Sequence, residues 1–362
     1  MYFFKTTGQT LSRHISIMKP NKTFSIISVN YNGGDKIINS IKSVAKQNFS
    51  SMEIIVVDNG SKDGSIEKIE TLKLKNLKIY KLKKNFGFTY GSNLGVAKSR
   101  GNYFLILNND AYLSNSNFIK ESVNILNKST KNTIGIFPKV VFNWEHNIIN
   151  SSFVTWHHKQ LWFDDQNGRF DFNTDKSIKQ VFGAMFVAPI FKKSLWLKIG
   201  GFDNSFFTYG EDFDVSYRAN ILGYKFLYCP TLNVKHDFRS SSNDEINPLW
   251  SYFYFLRNYL YVIFKNYQIK NLIKYRKFYL SFFINSFKTA IKNKDKNFLK
   301  LHLKVLKDIF TNFPNLLKTR AIIQKNRKID DQQIWEYNFV TNYNPYFYNN
   351  KIVLNLNSLN DQ

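Results

Sequence analysis

The segment Tyr103-Phe104-Leu105-Ile106-Leu107-Asn108-Asn109-Asp110 is an apolar run that stops on three polar residues. Continuous Tyr, Phe, Leu and Ile is the pattern of a parallel strand covered on both faces, and in open α/β sheets ligands gather just beyond the carboxyl ends of such strands. Asp110, with Asn108 two residues earlier, offers oxygen ligands to a hard divalent cation that carries a diphosphate and keeps several waters. The same triplet also reads as a turn capping the next helix. A second apolar run, 53–57, ends on Asp58 and passes into Asn59-Gly60-Ser61-Lys62-Asp63-Gly64-Ser65. Asp58 can accept hydrogen bonds from a nucleobase imide or a ribose, while the turn and the following helix offer N–H groups; a tight turn plus N-cap accounts for the same residues. A third stretch sets four carboxylates, Asp203, Glu211, Asp212 and Asp214, around a Gly-containing loop and a helix start. Asp214 stands four residues before Arg218, the spacing of a helical ion pair, and Asp203 suits loop capping.

The elements that must position these groups are legible in order. Residues 24–30 read as a strand, Tyr31-Asn32-Gly33-Gly34 as a turn that lets backbone approach a ligand, and 35–47 as a helix with Ile37, Ile41, Val44 and Ala45 on one face. G-x-G-x-x-G is absent, which argues against a nicotinamide or flavin enzyme. A strand at 77–82 precedes a short helix whose Gly87, Gly91 and Gly95 recur every four residues; small residues on one face let it lie close to the sheet or a ligand, although each helical Gly costs ~1 kcal/mol relative to Ala. Strands follow at 134–142 and 182–189, where Gly183-Ala184 would give a ligand close backbone approach, and at 225–228 and 231–236. Between them, 144–180 is irregular, and loops of that length are often functional. Trp156 there either stacks on a sugar ring or is buried, while His157-His158 reads as ordinary loop.

The succession V-N-Y-N-G, V-D-N-G-S-K-D-G-S, N-F-G-F-T-Y-G-S-N-L-G-V-A-K-S-R-G and L-I-L-N-N-D-A resembles the inverting family 2 glycosyltransferases of GT-A fold, especially rhamnosyltransferase-like members that build bacterial surface polysaccharides. The G-G-F-D…F-F…E-D segment at 200–212 resembles the same family. The resemblance implies an α/β fold with a Rossmann-like nucleotide-binding half and a mixed central sheet. It places Asn30, Asn32, Asp58, Asn59, Asn85, Gly87, Asn93 and Asn109 at the donor nucleotide. Asp110 and Asn108 would hold Mg²⁺ or Mn²⁺, and His236 would complete that site, since neutral imidazole can ligate Mn²⁺. Many GT-A enzymes carry an acid at both ends of a D-x-D signature; Asn108 replaces the first, so the cation meets one formal charge fewer. Asp212 becomes the base that takes the acceptor proton, worth ~10²–10⁴-fold within hydrogen-bond reach, and Glu211 orients the acceptor or the base. Gly183, Ala184, Arg239 and Trp156 would face the acceptor or the diphosphate. The donor would be dTDP-rhamnose or a UDP-hexose, and the acceptor a saccharide, free or lipid-linked, in O-antigen, capsule or related surface-polysaccharide synthesis.

The chain has 362 residues and a net charge of +25, of which residues 265–328 carry 17 Lys/Arg against two Asp. That segment alternates aromatic or aliphatic residues with Lys, the pattern of amphipathic helices on an anionic membrane; a solvated basic face is the plainer alternative. A nucleic-acid binder should show a recognition motif beside its basic cluster, and none is present. A single cysteine, Cys229, points to a reducing compartment, and no apolar stretch reaches the ~20 residues of a spanning helix. The expected organisation is a disordered lead over 1–20, a GT-A domain over 21–245, a basic helical membrane-associating region over 246–330 and a tail over 331–362, peripheral at the cytoplasmic face of the cell membrane, with the oligomeric state open. A competing expectation, resting on Asn108, is a catalytically impaired sugar-nucleotide-binding subunit of a larger assembly.

Overall fold

The computed structural model describes residues 23–155, 163–164, 167–172, 176–238 and 248–337. The expected lead at 1–20, Trp156, the histidine pair and Arg239 lie outside the described residues. In chain order, β1 (Phe24–Asn30) leads to α1 (Gly34–Ala45), β2 (Met52–Asp58) to α2 (Ser65–Glu70), and β3 (Leu77–Lys81) to α3 (Phe88–Lys98). Then come β4 (Tyr103–Ile106), β5 (Ala111–Leu113), α4 (Phe118–Lys128), β6 (Thr133–Phe142), β7 (Ile149–Ser151), β8 (Val154–Thr155) and β9 (Phe163–Asp164). After β10 (Lys179–Val181), β11 (Ile190–Lys192), α5 (Lys193–Lys198), α6 (Glu211–Ile221) and β12 (Lys225–His236), the chain is helical: α7 (Pro248–Asn266), α8 (Ile269–Lys274), α9 (Arg276–Lys292), α10 (Lys296–Lys325) and α11 (Asp331–Tyr337).

The main sheet is mixed and runs β10-β12-β6-β11-β4-β1-β2-β3, with β5 also paired to β12 and β7 to β6. β1, β2, β3 and β4 are mutually parallel where they pair, and β11 enters antiparallel between β4 and β6. Alternation along each strand divides the core. Ile26, Ile54 and Leu105 face α1 and α4, whereas Ile27, Ile55 and Phe104 face α3, α5 and α6 through Val96, Trp196 and Val215. Apolar side chains on both faces are what continuous apolar strands require.

α3 shows why its glycines recur. A Cβ at Gly91 would stand 2.8 Å from Val29 Cγ1, and one at Gly95 2.3 Å from Ile27 Cγ2. The helix lies directly on β1, and any side chain larger than hydrogen would push it away.

Three expectations need revision. Residues 182–189 do not form a continuous strand; their flanks, β10 and β11, pair, Gly183 makes a single bridge to Val154, and Asn220 Nδ2 of α6 donates to Phe182 O at 2.9 Å. The two strands expected over 225–236 are one, β12, with a register irregularity between Cys229 and Asn233. Residues 331–337, expected as featureless tail, form α11: Ile334 and Trp335 are buried, Trp335 Nε1 donates to Tyr217 OH at 3.1 Å, and buried Asp331 accepts from Gln268 N and Asn271 Nδ2, both at 2.7 Å. A Trp and an Asp with partners waiting on other helices are tertiary anchors that local composition does not reveal.

Candidate active site

Asn30 and Asp58 end neighbouring parallel strands in register. Asn30 Nδ2 reaches Ser65 Oγ (2.9 Å), Ser61 Oγ (3.0 Å) and Asp58 Oδ1 (3.3 Å), and Ser61 donates from both its N–H and its hydroxyl to the Asp58 carboxylate. Asn32 Oδ1 accepts from Lys62 N, and Asn32 N donates to Ser61 Oγ, each at 2.9 Å. The tight-turn reading of 58–65 therefore applies: the turn aligns Asp58. Asn30 Oδ1 is buried with no partner. It packs against Gly33, where an added Cβ would collide with Asn30 Oδ1 and stand 2.8 Å from Asn109 Nδ2, so Asn30 and Asn109 close on the same glycine.

Asp110 and His236 meet because β5 starts where β12 ends, with Ala111 opposite His236 in antiparallel register. His236 Nε2 lies 3.1 Å from Asp110 Oδ1, and its Nδ1 lies 2.8 Å from Asn150 Oδ1; all three residues are buried. An amide oxygen only accepts, so His236 Nδ1 donates to Asn150 Oδ1, while Nε2 pairs with the Asp110 carboxylate. Among the described residues no three His, Cys, Asp or Glu side chains gather as a metal-binding group. A two-side-chain set of one carboxylate and one imidazole fits a cation that takes its remaining ligands from waters and substrate phosphates. Asn108 adjoins: its N–H donates to Val187 O at 3.0 Å.

Glu211 and Asp212 open α6 behind Gly210, which takes φ +83°. Asp212 is buried, and its Oδ1 accepts from Phe213 N at 2.8 Å. Burial pushes its carboxyl well above the usual range against the opposing pull of backbone N–H groups, including that of Phe186. Glu211 rises too, by burial first and by the neighbouring Asp212 second, and its Oε2 is enclosed without a hydrogen-bond partner. Residues 185–187 thus touch Asp212 through Phe186 and Asn108 through Val187. On the other side, the loop before α6 reaches the start of α3: Thr89 N donates to Phe207 O at 3.3 Å, and a Cβ on Gly87 would stand 2.7 Å from the Phe207 ring. Gly87 N donates to Asn85 Oδ1 (2.8 Å), and Gly87 O accepts from Asn59 Nδ2 (3.1 Å). The acidic strand ends and the E-D pair converge on one rim of the sheet.

That loop is strained and held from outside. Phe207 and Tyr209 take φ +65° and +64°, conformations that cost non-glycine residues ~1–3 kcal/mol each. Asn258 Nδ2 of α7 donates to the carbonyls of Phe206, Thr208 and Tyr209 at 3.0, 2.8 and 2.6 Å, and Arg257 Nη2 donates to those of Ser205 and Phe206 at 2.6 and 3.0 Å. Beneath it, Asp203 caps Ser205 N and pairs with fully buried Lys265, whose ammonium also lies 3.0 Å from Asp214; Asp214 pairs with Arg218 at 2.9 Å, as the i,i+4 spacing predicts. Burial alone would raise both carboxyls, but these cations hold Asp203 and Asp214 below the ordinary range.

Other expected residues have different work. Asn93 anchors the loop at 202–204, donating to Phe202 O (2.9 Å) and Asn204 Oδ1 (2.7 Å) and accepting from Phe202 N (3.1 Å), rather than turning to a donor. Gly183 offers no open backbone: a Cβ there would meet Ser216 Oγ at 2.1 Å, and Ala184 lies in the core. The close approach is to α6, not to a ligand. Sequence reasoning missed Asn150, Phe186, Arg257 and Asn258, and no motif marks any of them.

Residues 25–194 match the family model described as Glycosyl transferase family 2. The match spans β1 to the start of α5 and stops short of Glu211 and Asp212. An uncharacterised glycosyltransferase of Haemophilus influenzae is 32% identical over 134 residues, 36% of this chain and 41% of that protein; one of Rickettsia typhi is 39% identical over 106 residues, 29% of this chain and 32% of that protein. The chain thus spans less than half the length of these relatives. In fold, it is similar to the crystal structure of GalNAc-T7 with UDP, GalNAc and Mn²⁺, with a TM-score of 0.57 at 18% identity over 82% of this chain and 58% of that one. The architecture is that of a GT-A domain with helices after it.

Proposed function

We propose that the chain transfers a sugar, with inversion, from a nucleoside-diphosphate sugar to a saccharide hydroxyl. The observation that carries the reading is the junction at 185–187, which joins buried Asp212, with Glu211 beside it, to the strand end that leads into Asp110 and His236. The matched family and the glycosyltransferase relatives support the reaction class.

In this reading Asn30, Asp58 and Asn109 receive the nucleoside, with the unpartnered Asn30 Oδ1 accepting from it. Mg²⁺ or Mn²⁺ on Asp110 and His236, beside Asn108, supplies charge neutralisation for the leaving diphosphate. The acceptor oxygen bonds to the anomeric carbon as the bond from that carbon to the diphosphate oxygen breaks, and the hydroxyl proton passes to the Asp212 carboxylate. A carboxylate raised by burial is a stronger base than an exposed one, which suits it to proton transfer near neutral pH. Glu211, adjacent and also raised, orients the acceptor. A UDP-hexose or dTDP-rhamnose serves as donor, and a lipid-linked saccharide as acceptor.

The test is release of nucleoside diphosphate from a panel of nucleotide-sugars with Mg²⁺ or Mn²⁺, with donor binding followed in parallel. Turnover of at least one donor by the wild type, and its loss in Asp212→Asn with binding retained, is the expected result. Equal turnover by Asp212→Asn overturns the base assignment, and binding without turnover across the panel replaces the enzyme by a sugar-nucleotide-binding subunit.

A further inference from the structure

Beyond the sheet, α10 carries an apolar stripe that faces solvent. Leu303, Leu306, Phe310, Phe313 and Leu317 follow one another at intervals of three, four, three and four residues, which aligns them along one face for ~21 Å. They are 60, 48, 84, 41 and 45% exposed. The helix does not lack a core face, because Leu301, Val305, Leu316 and Ile323 are buried against its neighbours. Phe313, at the inner edge of the stripe, touches the Phe264 ring; the other four residues are additional to that packing. On α9, Leu280, Ile284 and Ile291 are exposed at 39, 43 and 53% with the same kind of spacing.

The charge beside the stripe has one sign. Exposed Lys296, Lys300, Lys307 and Lys318 recur along the flank of α10. Its two nearby acids are turned to other tasks: Asp295 caps the helix, accepting from Asn297 N and Phe298 N, and Asp308 faces inward to Arg257 and accepts from Tyr261 OH at 2.8 Å. An apolar ridge beside a row of lysines matches the interface of an anionic bilayer, where acyl chains take the ridge and headgroups take the ammonium groups. Nucleic acid would use the lysines and leave Phe310 in water. Among the described residues no helix is long and apolar enough to cross a membrane, so the fit is to a helix lying along the surface.

We propose that α10 is a docking face for an anionic lipid bilayer. The inference stands apart from the reaction proposed above and is tested without it. The chain is floated with phosphatidylcholine vesicles with and without phosphatidylglycerol, for wild type, Leu306→Ser/Phe310→Ser and Lys300→Gln/Lys307→Gln/Lys318→Gln, with folding followed by circular dichroism. Expected are binding that requires phosphatidylglycerol and weakens with salt, a loss of about tenfold or more in the apolar variant, and a loss of about fivefold per lysine in the other. The lysines are exposed and outside the core, so that variant keeps the test valid should the apolar one misfold. No flotation of the wild type, equal flotation without phosphatidylglycerol, or undiminished binding by the folded variants overturns the proposal. So does a dimer at working concentration that the variants dissociate while vesicles bind neither form, which would assign the ridge to a second copy of the chain.

Discussion

The two ends of the candidate site are built on opposite electrostatic plans. At the ends of β1 and β2, Asp58 accepts from Ser61 and Asn30, and the surrounding turn supplies its own donors. At the start of α6, Glu211 and Asp212 sit side by side with few donors and, among the described residues, no cation drawing either carboxyl down, and burial lifts both. One turn further, Asp214 belongs to the satisfied kind, with Arg218 and Lys265 against it. The contrast is one of partners: a carboxylate with its partners in place is a poor proton acceptor, and an uncompensated one is a ready one.

Breaking the comparison at its reactive end should give the largest effect. Asp212→Asn should lower turnover by ~10²–10⁴-fold, about 3–5 kcal/mol of barrier, with donor affinity unchanged; product formation under saturating donor reads it. At the satisfied end, Lys265→Met leaves buried Asp214 and half-buried Asp203 without that cation and should cost about 3–5 kcal/mol of stability, read as a lowered denaturant midpoint. The same stability contribution is present above the ordinary carboxylate range and lost as pH falls through the depressed pKa values of the two acids, so wild type and Lys265→Met should converge in acid. Asn150→Ala releases the His236 ring, and the Mn²⁺ concentration for half-maximal turnover should rise by ~10–100-fold while turnover at saturating metal changes little. The finest test sharpens the comparison rather than breaking it. With Asp212 as base, the rate falls as pH drops through its raised pKa, so the acid limb should lie above the usual carboxylate range. Glu211→Gln should leave that limb in place, because burial, not Glu211, raises the Asp212 carboxyl, whereas it is Glu211 that answers to the Asp212 charge.

Much of the site was legible because its signals are local. A carboxylate that ends an apolar run needs only the strand period to be placed at a sheet edge, which located Asp58 and Asp110, and the i,i+4 interval located Asp214 with Arg218. Glycines at 91 and 95 announced close packing on β1 because their spacing is helical and their cost is known. What stayed hidden depends on partners far along the chain. Asn93 looks like a pocket residue until Phe202 and Asn204 arrive from 109 and 111 residues away. Asn150 is one polar residue among many in an irregular stretch, and only the meeting of β5 with β12 gives it a histidine to orient. Gly183 signals close approach correctly but not to what, since Ser216 fills the space a ligand was expected to take.

Asn258 has a bearing on how this chain can be divided. The carbonyls it gathers belong to the loop that presents Glu211 and Asp212, yet it sits on a helix past the end of the β-sheet and past the segment shared with the family model. A fragment ending at His236 would keep every strand and both acids but lose the clamp on Phe207 and Tyr209, whose backbones would relax out of their left-handed turns. The helical appendage and the transferase-like sheet are therefore not separable modules, and swapping either for a relative's would require carrying Asn258 along.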